Sequence, residues 1–87
     1  MNFEFAKSLS GHDRDRVYLI IAKEERYAYL SDGKTHTVEH PKKKNKKHFQ
    51  VIKKIPDEIR VRLEENEVLT DDVIRWAVRT YERSINK

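Results

Sequence analysis

The chain has no cysteine. Disulfides and thiolate metal sites are therefore excluded, and the composition suits a reducing compartment. Glycine occurs only at Gly11 and Gly33, too sparsely for a loop that cradles phosphates. No apolar run approaches the roughly 20 residues that cross a bilayer. The start, Met1 to Phe5, lacks the basic and apolar regions of a signal peptide. A cytoplasmic protein with no membrane partner is the expectation. His36 and His40 are four residues apart, but on an expected strand and loop, with no cysteine to complete a metal site. No nucleophile–base pairing stands out, and the carboxylates fall in turns and helix starts. The sequence thus points away from an enzyme, a cofactor, a metal or a small-molecule substrate.

What is present is charge. Eighty-seven residues carry 39% Asp, Glu, Lys and Arg with a net charge of +4. That length makes one domain, with or without an appendage, and buries only about 60–65% of its unfolded surface. The charge is uneven. Residues 1–55 hold 13 Lys and Arg against 7 Asp and Glu, whereas residues 56–87 hold 6 against 8. Most of the excess lies in Pro41-Lys42-Lys43-Lys44-Asn45-Lys46-Lys47-His48, with five lysines in six positions. Like charges at this density repel, and a polyanion relieves them. On composition alone the run reads as a nucleic-acid contact, a solvated loop or a nuclear import signal.

The basic part reads as short strands. Phe3 to Leu9 alternates loosely, and Ser10 to Asp15 is a polar turn. Val17-Tyr18-Leu19-Ile20-Ile21 is β-branched and aromatic with no breaker. Tyr27 to Leu30 forms another strand, Ser31-Asp32-Gly33-Lys34 a hairpin turn, Thr35 to Val38 the returning strand and Phe49 to Ile52 the last. Such spacing suggests a small barrel or rolled sheet. Both faces of the Val17–Ile21 strand are apolar, so something must cover the second face. The C-terminal third can do so with two helices. Pro56-Asp57-Glu58 opens the first, Ile59 and Leu63 line its inner face, and Asn66 ends it in the left-handed region. Thr70 caps the second, with Leu69 and Ile74 at staple spacing. Val73, Ile74, Ala77, Val78, Tyr81 and Ile85 form its apolar stripe. Arg75, Arg79 and Arg83 read as a solvated face, with Asp71 pairing to Arg75. Tyr18, Tyr27, Tyr29 and Trp76 are expected to pack rather than stack on bases.

Five segments in order carry a resemblance. They are Lys7-Ser8-Leu9, the turn Ser10-Gly11-His12-Asp13-Arg14-Asp15-Arg16, the strand Val17-Tyr18-Leu19-Ile20-Ile21, Asp32-Gly33-Lys34, and Glu39 through the lysines to His48. Over roughly residues 4–50 this resembles a KOW domain, as carried by large-subunit ribosomal proteins of archaea and eukaryotes and, more closely, by short bacterial RNA-binding relatives. Two positions depart from the pattern. His12 stands where the family usually has arginine, and Asp15 where it has its characteristic glycine. Glycine there permits a positive φ, which aspartate tolerates better than most residues. The resemblance implies an SH3-like barrel of about five strands over residues 2–54, with a helical extension over 55–87 packed on it.

It also implies a monomeric protein that docks on structured RNA, most naturally ribosomal RNA or the ribosome. The contact residues would be Lys42, Lys43, Lys44, Lys46, Lys47 and His48, with Lys7, His12, Arg14, Arg16 and Lys34 as a second basic edge. Charged turn residues that merely keep the loop soluble are the plainer reading of that second edge. The alternative function is a protein-interaction adaptor using the barrel and the C-terminal helices.

Overall fold

The computed structural model describes residues 3–85. Strands form where β-branched and aromatic residues are densest: β1 is Phe5–Ser8, β2 Val17–Lys23 and β3 Tyr27–Ser31. With β4, Lys42–Asn45, and β5, Phe49–Ile52, they make one antiparallel sheet in the order β4-β3-β2-β1-β5. A single 3-10 turn, Lys46–His48, joins the two edge strands. In a flat sheet these edges would lie roughly 19 Å apart, at about 4.8 Å per strand. Three residues of 3-10 helix rise only about 6 Å. The sheet must therefore roll, and a β-bulge between Ile20 and Ala22 sharpens the bend. No ladder joins β4 to β5 among the described residues, so the roll stays open rather than closing into a barrel.

Strand β2 is buried on both faces, as its composition requires. Val17 and Leu19 join Phe5 in a core against the helices, while Tyr18 joins Ala6, Ala28, Leu30 and Phe49 inside the roll. The cover for the outer face is α1, Asp57–Glu65, which contributes Ile59 and Leu63, and α2, Asp71–Ile85, which contributes Ile74, Ala77 and Val78. Tyr81 stacks at 4.9 Å on Phe5. The Thr70 hydroxyl accepts the Val73 N–H and caps α2. Three details differ from expectation. Asn66 ends α1 in extended backbone, with its side chain donating to the Arg62 carbonyl, so no left-handed residue is needed. Ile85, at the end of the stripe, is 50% exposed. Arg75 bonds Asp72 and the Gly33 carbonyl instead of Asp71.

The larger differences lie between β3 and β5. Thr35 to Val38 is not a strand. The Asp32 carboxylate accepts the Lys34 and His36 N–H groups, and the Ser31 hydroxyl donates to the His36 carbonyl. These local bonds turn the chain away from a ladder. The loop docks instead on α2: the Val38 N–H donates to Asp71, and Gly33 (φ 72°) packs against the first turn of the helix. The returning strand is the lysine run itself. Lys42, Lys43, Lys44 and Asn45 pair with Leu30, Tyr29, Ala28 and Tyr27. No helix among the described residues is long and apolar enough to cross a membrane.

Candidate nucleic-acid interface

Strand period fixes what the lysines face. Side chains alternate across a strand. Lys42 and Lys44 lie opposite Leu30 and Ala28, whose side chains fill the roll, so both ammonium groups point to its mouth. A buried ammonium there needs a counter-charge, and Asp13 supplies it from the turn after β1. Its Oδ2 accepts from Lys42 Nζ at 2.6 Å and from the Tyr18 hydroxyl at 2.9 Å. Its Oδ1 accepts from Lys44 Nζ at 3.1 Å and from the Ser8 hydroxyl at 2.9 Å. The Lys44 side chain is only 10% exposed and Asp13 12%. Burial by itself would raise the Asp13 pKa, but the hydrogen bonds from Lys42, Ser8, Lys44 and Tyr18 hold it well below the usual carboxylate range. Burial and the Asp13 carboxylate push the Tyr18 phenol well above its ordinary value.

The remaining lysines face outward. Lys43 lies 4.6 Å from the centre of the Tyr27 ring, a cation–π contact on the outer face of β4. Lys46 and Lys47 are exposed in the 3-10 turn, which Asn45 caps by accepting the Lys47 N–H at 2.9 Å. The turn from Gly11 to Arg16 sits beside them, because the Leu9 N–H donates to the His48 carbonyl at 2.9 Å. A cavity of about 440 Å³ opens between the two segments. His12, Arg16, His36, Lys42 and His48 line it, with Asp13, Tyr18 and Lys44 at its inner side.

Of the residues singled out in the sequence, His12, Arg16, Lys42, Lys44 and His48 thus converge on one cavity. Arg14, Lys46 and Lys47 are exposed outside it, as is Lys43. Two do not join. Lys7 follows Phe5 onto the opposite face of β1, and Lys34 lies in the loop that docks on α2. The residues sequence reasoning passed over are Ser8 and Asp13, and it weighs His36 only as a metal ligand. Asp13 was legible in principle: alternate lysines on a strand put two cations on one face, and such a pair calls for a nearby acid. Tyr18 is fully buried and offers no free stacking face, while the Tyr29 hydroxyl donates to Glu24. Trp76 packs partly buried under the Arg62 guanidinium at 4.3 Å.

Asp15 has φ 72°, the one positive value away from glycine among the described residues. Aspartate adopts this left-handed backbone more readily than most residues. A left-handed L-residue costs roughly 1–2 kcal/mol, and Asp15 regains little through its exposed 3.9 Å pair with Lys7. Asp15→Gly is therefore expected to hold stability within about 1 kcal/mol of wild type or raise it, by urea denaturation. A large destabilisation would show that the side chain has a structural role.

No protein-family model matches the chain, and no curated protein matches it.

Proposed function

We propose that the chain is a non-enzymatic RNA-binding protein that docks on structured RNA, ribosomal RNA being the natural target. The observation that carries this is the meeting of two basic segments some thirty residues apart. The Gly11–Arg16 turn and the Lys46–His48 turn lie side by side, tied by the Leu9–His48 hydrogen bond. Together they present Arg14, Arg16, Lys46 and Lys47 to solvent. Cations grouped this way neutralise phosphates and release counterions, and they recognise the shape of a backbone rather than a base sequence. The KOW resemblance over residues 4–50 points to the same partner, and the rolled five-stranded sheet with its 3-10 turn fits the SH3-like architecture that the resemblance implies. Lys44 acts here as scaffold, and Lys42 as scaffold as much as contact.

The test follows from that division. Charge reversal of all five lysines would unfold the roll and prove nothing, whereas Lys46→Glu with Lys47→Glu leaves the Asp13 network intact. This double variant is expected to bind a structured rRNA fragment at least about tenfold more weakly at low salt and to lower the salt slope by roughly 2. Unchanged binding, measured by fluorescence anisotropy on a variant of normal stability, overturns the proposal.

A protein-docking reading rests on a different place. Phe3, Ile21, Val38, Leu63, Val68 and Leu69, with Glu64, Asn66 and Glu67, line a cavity of about 790 Å³ on the helical side, where Val68 is 71% exposed. An adaptor working there would keep its partner when Lys46 and Lys47 are reversed.

A further inference from the structure

We infer that the cavity between the two basic turns seats the phosphomonoester end of an RNA strand; this rests on the RNA-binding reading above. The Asp13 carboxylate does not set the sign of the field there, because the Lys42 and Lys44 ammonium groups that bond it outweigh its single charge. The two lysines then divide. An ammonium has three donors. Lys44 Nζ directs its own to Ser8 Oγ, the Ser10 carbonyl and Asp13 Oδ1, leaving none for a ligand. Lys42 Nζ donates to Asp13 and lies 5.8 Å from the centre of the Tyr18 ring, and at 29% side-chain exposure it keeps donors for the cavity. Arg16 adds a guanidinium fork, which matches phosphate oxygens bidentately. His12, His36 and His48 add imidazole nitrogens around the rim.

Charge selects the ligand. Lys42, Lys44 and Arg16 against Asp13 leave the lining at +2 before any histidine is protonated. A phosphodiester within a strand carries one negative charge and brings a nucleoside on either side. A phosphomonoester end carries about −1.5 to −2 at neutral pH and presents three oxygens with a single nucleoside behind them. The cavity, about 440 Å³, lies within the roughly 300–1,000 Å³ of small-ligand sites. It suits such an end better than a continuous strand. Lys46 and Lys47 stand just outside, where the following phosphates would pass.

The experiment compares one RNA hairpin with a single-stranded 5′ overhang, carrying either a 5′-phosphate or a 5′-hydroxyl, against the full chain. Adenosine 5′-monophosphate is titrated separately. The phosphorylated RNA is expected to bind about tenfold more tightly, the worth of one charge-assisted hydrogen bond. The monophosphate alone should bind far more weakly than either RNA. Arg16→Ala and, separately, His48→Ala should bring the two RNA affinities together, since both side chains are exposed at the cavity rim. Equal affinity of the wild type for both RNAs overturns the inference and leaves RNA binding standing. Binding of the monophosphate as tight as that of the phosphorylated RNA also overturns it, in favour of a free-nucleotide site. If neither RNA binds, the RNA-binding reading falls and this inference falls with it.

Discussion

Asp13→Ala is expected to lose a large share of the stability of the fold. The substitution leaves Lys44, at 10% side-chain exposure, and Lys42 without their carboxylate. It also strips the acceptor from the Tyr18 hydroxyl, whereas the Ser8 hydroxyl keeps the Ser10 carbonyl. Breaking a buried pair by removing one member costs about 3–5 kcal/mol. A chain of this length is stable by roughly 4–13 kcal/mol in total, at about 0.05–0.15 per residue. Urea denaturation should therefore show a midpoint far below wild type, or no folded baseline. The double variant Asp13→Ala with Lys44→Met should recover part of the loss, because the stranded cation is gone. A single variant within about 0.5 kcal/mol of wild type, the range of ordinary surface changes, would contradict the network.

The same network sets a pH dependence with a definite sign. The folded Asp13 carboxyl titrates below its unfolded value, so its contribution is complete above about pH 4 and is lost as pH falls further. The folded Tyr18 phenol titrates above its unfolded value, so its contribution is complete below about pH 10 and is lost as pH rises beyond. Asp13→Asn should flatten the acid limb of a stability–pH profile, and Tyr18→Phe the alkaline limb.

Gly33→Ala is expected to be comparably severe for a different reason. Gly33 has φ 72°, and a Cβ there would fall on the Asp71 carbonyl oxygen and 2.8 Å from the Arg75 nitrogen. Both are backbone atoms of the first turns of α2, so no rotamer relieves the overlap. The left-handed penalty of about 1–2 kcal/mol adds to an overpacking cost of about 1–3 kcal/mol. The loop would have to leave the helix, forfeiting the Val38–Asp71 and Arg75–Gly33 hydrogen bonds. Thermal melting should show a fall in Tm well beyond 10 °C, at about 4–8 °C per kcal/mol for a domain of this size. A melt unchanged from wild type would mean that the loop does not pack on α2 in solution.

Much of the fold was legible in the residues. The apolar doubling of β2 announced a cover on each face, and the caps and stripes at Pro56 and Thr70 placed both helices. Gly33 read as a turn residue on local grounds, yet what makes it irreplaceable is the approach of α2, which lies about forty residues on and leaves no local trace. The lysine run misled most. Five like charges argue for a solvated loop, and β propensity is low for lysine. Pairing with β3 overrides that preference because Asp13, from a distant turn, neutralises the two inward ammonium groups. Lysine on an edge strand has a further consequence: among the described residues β4 has only β3 as a ladder partner, and a charged edge discourages strand pairing between molecules. The candidate site was legible as a set of basic residues. Its division into scaffold and contact, Lys44 against Lys46 and Lys47, depends on strand register and turn placement that spacing alone could not fix.

The salt dependence of RNA binding tests the central claim most directly. With three to five of Arg14, Arg16, Lys42, Lys46 and Lys47 on phosphates, the slope of log K against log salt should be roughly −3 to −4.5, by the duplex coefficient of about 0.9 per phosphate. No measurable affinity for structured RNA at low ionic strength, or a slope near zero, would contradict the account.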